Sequence, residues 1–212
     1  MREAIKRKAL PKDLLINEIV DIEWQMMDKV NNQGGRAACQ DDEWTFYVMR
    51  YSQFMALPVI LLESYRDDLY QALAEGRNVL VEKYAYMMAY TDPEVFDATL
   101  RAYIPEVSAG KEALVERVAT ALMKAEKAFA AQYPRLHQKG RPLSGTARDE
   151  VSAQVYTLGE LKTYSEKTLR LYENYLALLE AKGGENISVT VHRIMALLYG
   201  YHSLDEAEAR QV

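Results

Sequence analysis

The sequence predicts an all-α fold, a multi-helix bundle, on three observations. Apolar residues recur at spacings of three and four along almost every segment, no stretch holds the sustained alternation of a strand, and 212 residues carry only ten glycines and six prolines. A turn-rich β architecture is therefore disfavoured. The segment 13–30 places Leu15, Ile19, Ile22, Met26 and Val30 on one face, with Pro11 where a helix begins. Asp41 or Asp42 is placed to cap a second helix bearing Phe46, Met49, Gln53 and Leu57, and Pro58 kinks or restarts it. A third stretch carries Leu62, Tyr65, Leu69 and Leu73 and stops at Gly76, after which Asn78 caps a helix running through Tyr90. Asp92-Pro93-Glu94 opens another, which Pro105 closes.

The second half follows the same scheme. Ser108 is placed to cap a long helix with Leu114, Val118, Leu122, Ala125 and Phe129, ending before Pro134. Residues 135–149 are the least periodic in the chain, rich in glycine, proline, serine and basic side chains, and read as a ligand-facing loop. Periodicity returns through Leu158, Leu161, Thr168, Tyr172, Tyr175 and Leu179, stops at Gly183-Gly184, and resumes with Val191, Ile194, Met195 and Leu198. Ser203 and Glu206 form a capping-box pattern for a short last helix.

Residues 11–212 thus read as a single helical domain after a basic segment 1–10, with an internal duplication of 11–92 in 108–202. Gly35-Arg36 corresponds to Gly140-Arg141, Tyr51-Ser52 to Tyr164-Ser165, and the turn before Asn78 to the turn before Asn186. Two halves related by a pseudo-two-fold axis would let equivalent loops converge on one site.

Composition narrows the partners. Hydrophobic residues make up 49% and charged residues 27%, the balance of a folded domain, and a net charge of −5 offers no field for a phosphate backbone. The short basic run at residues 2–8 reads as a solvated terminus. One cysteine forms no internal disulfide, no apolar signal region opens the chain, and the longest apolar run, Ala56–Leu62, falls far short of the ~20 residues of a membrane span. The expectation is a cytoplasmic protein, monomer or homodimer, that binds a small molecule and neither nucleic acid nor membrane.

Several polar residues lie on apolar stripes. Glu23 falls between Val20 and Met27 on the stripe that includes Ile16, and a carboxylate there must be paired, hydrogen-bonded or raised in pKa. It reads as a general base or, equally, as a structural ion-pair partner. Arg50 and Gln53 share a face with Phe46, Met49 and Leu57, where a guanidinium suits bidentate capture of a carboxylate, either a ligand's or that of Glu23. Arg36, Gln40, Arg141 and Ser165 complete the ligand-binding candidates, with Arg36 foremost.

Lys83 and Tyr164 are candidate proton-transfer groups, and Glu160, Tyr164 and Lys167 at spacings of four and three are expected on one helix face. Cys39 near a helix start and Arg36 is a candidate nucleophile, opposed by the neighbouring Asp41 and Asp42; an inert thiol is the alternative. The two aspartates read first as caps, with a magnesium site as the alternative. Zinc-protease, di-iron and EF-hand patterns are missing, as are the P-loop and the dinucleotide fingerprint, so no cofactor is expected.

The chain resembles a bacterial family described only as a domain of unknown function, DUF4125. The resemblance rests on DIEW at 21–24, VNNQGGRAACQDD at 30–42, TF at 45–46, MRYSQF at 49–54, SYRDDL at 64–69, GRN at 76–78, EKYAYMM at 82–88, GRP at 140–142, GEL at 159–161, TYS at 163–165 and YGYHSL at 199–204. The lead-in DEVSAQVYTLGE at 149–160 departs from the family's more acidic and aromatic pattern. The resemblance implies no activity. The residues themselves suggest an acid/base enzyme, a lyase, isomerase or hydrolase, acting on a small anionic or zwitterionic metabolite. The alternative is a non-catalytic ligand-sensing or protein-interaction module whose polar residues form a buried structural network.

Overall fold

A computed structural model describes residues 11–31, 35–145 and 151–210. The basic run at 2–8, Gly34 and the 146–149 part of the expected loop lie outside them. Among the described residues there are eleven α-helices and no strand, in two compact units, 1–81 and 82–212.

In the first unit, α1 (Pro11–Asp28) packs against α2 (Glu43–Met55) and α3 (Val59–Ala74). Pro11 supplies a preset φ where the missing N–H has no helical partner, and α1 buries Leu15, Ile16, Ile19, Val20, Met26 and Met27. Asp42 caps α2 by accepting from the Thr45 N–H at 3.0 Å, which holds its carboxyl below the usual value. At the other end of α2 the Lys12 ammonium donates to the Met55 carbonyl at 2.8 Å, and burial pushes that ammonium's pKa down. Pro58, in extended backbone, then starts α3 rather than kinking α2. Trp24 packs on Phe46 with centroids 5.2 Å apart, and Trp44 stacks on Tyr47 at 6.0 Å.

The second unit contains most of α4 (Val79–Thr91), followed by α5 (Pro93–Thr99), α6 (Ala109–Gln132), α7 (Pro134–Gln138), α8 (Ala153–Leu161), α9 (Glu166–Ala181), α10 (Ile187–Leu198) and α11 (Leu204–Ala209). The long α6 is its spine and touches α8, α9 and α10. Ser108, Ser152, Ser165 and Ser203 cap α6, α8, α9 and α11, each accepting from the N–H three residues on.

Three features differ from the expectations. The periodic run expected from Leu158 to Leu179 is two helices, because the chain turns at Lys162–Tyr164 and Ser165 restarts it. Inside the expected loop lies α7, whose first N–H groups, on Arg135 and Leu136, donate to the Glu208 carboxylate on α11 at 2.9 and 2.8 Å. Glu206 answers the Ser203 cap through the N–H of His202, one residue earlier than the capping-box pattern expects.

The units share local devices. Gly76 (φ 70°) ends α3 and Gly183 (φ 60°) ends α9, and in each case the following N–H reaches back five residues, from Arg77 to Ala72 and from Gly184 to Leu179, both at 2.8 Å. Next comes an asparagine clamp. Asn78 Oδ1 accepts from the Leu80 N–H while its Nδ2 donates to the Met26 carbonyl at 2.8 Å; Asn186 does the same between the Ser188 N–H and the Ala125 carbonyl. Lys12 on Met55 is likewise echoed by Lys111 on the Lys162 carbonyl at 2.6 Å. The other paired motifs do not correspond. Tyr51-Ser52 lies inside α2 whereas Tyr164-Ser165 lies in the turn before α9, and Gly35 has a φ of 88° while Gly140 is not in the positive-φ region.

Replacing either clamp, Asn78→Ala or Asn186→Ala, removes a cap and the side-chain donor to a carbonyl on a neighbouring helix. Each is expected to lower unfolding free energy by about 1–3 kcal/mol in urea titrations, with Asn→Asp, which keeps the cap alone, falling between.

Candidate functional site

The polar residues expected to form one pocket divide between the units, and each group has its own geometry. In the first unit Glu23 is fully buried, on the α1 face between Val20 and Met27. Arg50, about two turns into α2 and buried, meets it as a fork: Nε donates to Oε2 at 2.7 Å and Nη2 to Oε1 at 2.5 Å. The Tyr65 hydroxyl of α3 donates to Oε1 at 2.6 Å. Arg50 Nη1 donates to Gln53 Oε1 at 2.7 Å, and the guanidinium lies 4.6 Å from the Phe54 ring centroid. Both carboxylate oxygens thus have charge-assisted or hydroxyl donors, and the guanidinium is held in plane by Gln53. A carboxylate so engaged ties the three helices together in one register.

The loop after α1 is tied by its own side chains. Arg36 donates to Asp28 Oδ1 and to Asp41 Oδ1, both at 2.7 Å, and to the Gln40 carbonyl at 2.8 Å. Its hydrogen bonds to Asp41 and then to Asp28 push the Arg36 pKa up. Gln40 is buried, and its amide donates to the Met27 and Val30 carbonyls, both at 2.9 Å, while its oxygen accepts from the Ala37 N–H. The Met27 carbonyl, in the last turn of α1, also accepts from the Val30 N–H at 3.1 Å, and the Val30 carbonyl lies just beyond, so Gln40 reinforces the helix end. Cys39 is an exposed free thiol in the short 3-10 turn Ala38–Gln40. Asp41 binds Arg36 and Asp42 caps α2; among the described residues no group of three or more His, Cys, Asp or Glu is arranged to hold a metal ion.

In the second unit a second buried pair joins α4 to α8. Lys83 Nζ lies 2.6 Å from Glu160 Oε2, both residues about 95% buried, and the Tyr164 hydroxyl donates to Glu160 Oε1 at 3.0 Å. The same ammonium lies 3.5 Å from the Tyr156 ring centroid, and the Arg141 guanidinium is 4.8 Å from that ring while donating to the Val151 carbonyl. Gly159 permits this approach. A Cβ there would meet Met87 Cγ at 2.5 Å and the Lys83 carbonyl at 2.9 Å, so any side chain pushes α4 away from α8. Lys167, expected beside Glu160 and Tyr164, is exposed on α9 because the turn before Ser165 breaks the helical phase. Ser165 is the α9 cap.

The three histidines all lie in the second unit: His192 stacks on Phe129 with centroids 3.8 Å apart, His137 faces Glu126 at 3.8 Å, and the backbone N–H of His202 donates to Glu206. Spacing marked Glu23 as facing its stripe, whereas Arg50 is buried with Tyr47, Val48, Tyr51 and Phe54 and Met49 of its expected stripe is exposed. Spacing did not mark Tyr65 as the third donor or Glu160 as the partner of Lys83, since each partner comes from a different helix.

A family model described as "Protein of unknown function (DUF4125)" matches residues 13–209. No curated protein and no solved structure matches the chain.

Glu23→Gln leaves the Arg50 charge without its counter-ion in the core and is expected to cost about 3–5 kcal/mol, read from denaturant midpoints. The double replacement Glu23→Leu with Arg50→Met is expected to recover most of that loss. Gly159→Ala is expected to cost about 1–3 kcal/mol through the forced separation of α4 and α8, measured the same way.

Proposed function

The chain belongs to the family described as a protein of unknown function, DUF4125, which hands down no reaction, and we propose that it is a non-catalytic, ligand-sensing helical module rather than an acid/base enzyme. One observation carries the reading: both oxygens of the Glu23 carboxylate are already engaged by Arg50 and Tyr65 inside the core. Glu160 is engaged in the same manner by Lys83 and Tyr164. General acid/base work needs a group within hydrogen-bond reach of substrate and free to exchange its proton. Gln40 and Arg36 close the loop after α1 upon itself, so their donors serve the fold. The ligand we assign to the module is a small zwitterionic metabolite. The matched turns and asparagine clamps support reading the two units as diverged repeats of one helical unit.

The double variant Glu23→Leu/Arg50→Met separates the two readings. Thermal-shift screening with amino acids, organic acids, nucleotides and divalent metals is expected to give the same responders for wild type and double variant, with no product formed from any responder by chromatography. A responder that shifts only the wild type, or one that is turned over, overturns the proposal.

A further inference from the structure

A groove of about 420 Å³ runs along the first unit between α1 and α3, lined by Leu14, Asn17, Glu18, Asp21, Ile22 and Tyr70. Its volume is in the range of small-metabolite sites. Asn17 is only 4% exposed, yet neither its Nδ2 nor its Oδ1 has a hydrogen-bond partner. An unpaired buried amide destabilises a fold, and a leucine of nearly the same shape would serve the apolar face of α1 better. Arg66, one helical turn before the groove residue Tyr70 on α3, holds a second unpaired buried donor, Nε, and its Nη1 lies 3.7 Å from Oε2 of the groove residue Glu18. The Tyr70 hydroxyl donates to the other oxygen of Glu18, which fixes that carboxylate at the rim.

The inventory is two donors, Asn17 Nδ2 and Arg66 Nε, one neutral acceptor, Asn17 Oδ1, two carboxylates, Glu18 and Asp21, and an apolar surface from Leu14 and Ile22. We propose that this groove binds a free α-amino acid. Its carboxylate is received by Asn17 Nδ2 and Arg66 Nε, its ammonium by Asn17 Oδ1 and the acidic rim, and its side chain by Leu14 and Ile22. A lone anion meets the acidic rim, and a lone amine leaves the two donors unpaired, so the zwitterion is the species that satisfies both sets. The inference rests on the ligand-sensing reading and names the ligand class and the site.

The full chain is titrated with the common L-amino acids, with a simple alkylamine and a simple carboxylic acid as controls, by calorimetry and thermal shift. At a hundred times its Kd an amino acid is expected to raise the wild-type melting temperature by roughly 5–10 °C, with both controls silent. Asn17→Leu is expected to melt higher than wild type without ligand and to lose the response. The rim variant Glu18→Gln/Tyr70→Phe, on partly exposed positions, is expected to keep the fold and bind at least about tenfold more weakly.

No response in the wild type overturns the groove assignment, as does a response that survives unchanged in Asn17→Leu and in the rim variant. In that last case the ligand-sensing reading stands with its site elsewhere. Turnover of the bound amino acid overturns the non-catalytic reading and leaves the groove in place.

Discussion

Burying one carboxylate at the centre of three helices sets the terms for the first unit. Glu23 comes from α1, Arg50 from α2 and Tyr65 from α3, so a single charged group has donors on both neighbouring helices. Rotating α1 by one residue swings Glu23 through about 100° and strands a charge in hydrocarbon, whereas Leu15, Ile16, Ile19 and Val20 would tolerate a slip by exchanging places. The ion pair adds little net stability over a well-packed apolar substitute. What it supplies is a single permitted register.

The second unit reaches the same end by a different route. Lys83 and Glu160 approach because Gly159 has no side chain to hold α4 and α8 apart, and Tyr156 covers the ammonium with its ring. The conformational freedom of this helical glycine is not in use. Its value is steric absence, which lets a salt bridge form between backbones in near contact.

The helices were legible because local rules fixed them. Asp42, Asn78, Asp92, Ser108 and Ser203 cap where their sequence positions indicate, and Leu62, Tyr65 and Leu69 of the α3 stripe point inward as spacing predicts, while Leu73, in the last turn, is exposed. What was illegible depends on residues far apart in the chain. The cap of α7 is Glu208, some seventy residues downstream, so nothing local announces that helix. Tyr164 partners Glu160, as their spacing suggested, yet the third member is Lys83 and not Lys167, because a turn that periodicity could not register intervenes. Asn17 was the quietest signal, a polar residue between Ile16 and Ile19 that reads as an ordinary helix position until its lack of a partner is seen.

Both tryptophans of the chain, Trp24 and Trp44, pack within the first unit, against Phe46 and Tyr47. The second unit contains tyrosines and phenylalanines but no indole. Emission excited at the red edge of the aromatic band therefore reports on residues 1–81 alone, while far-ultraviolet dichroism averages over every helix. The natural sequence thus carries a built-in optical label for one of its two units, and comparing the two signals during unfolding tells whether the units melt together or in turn.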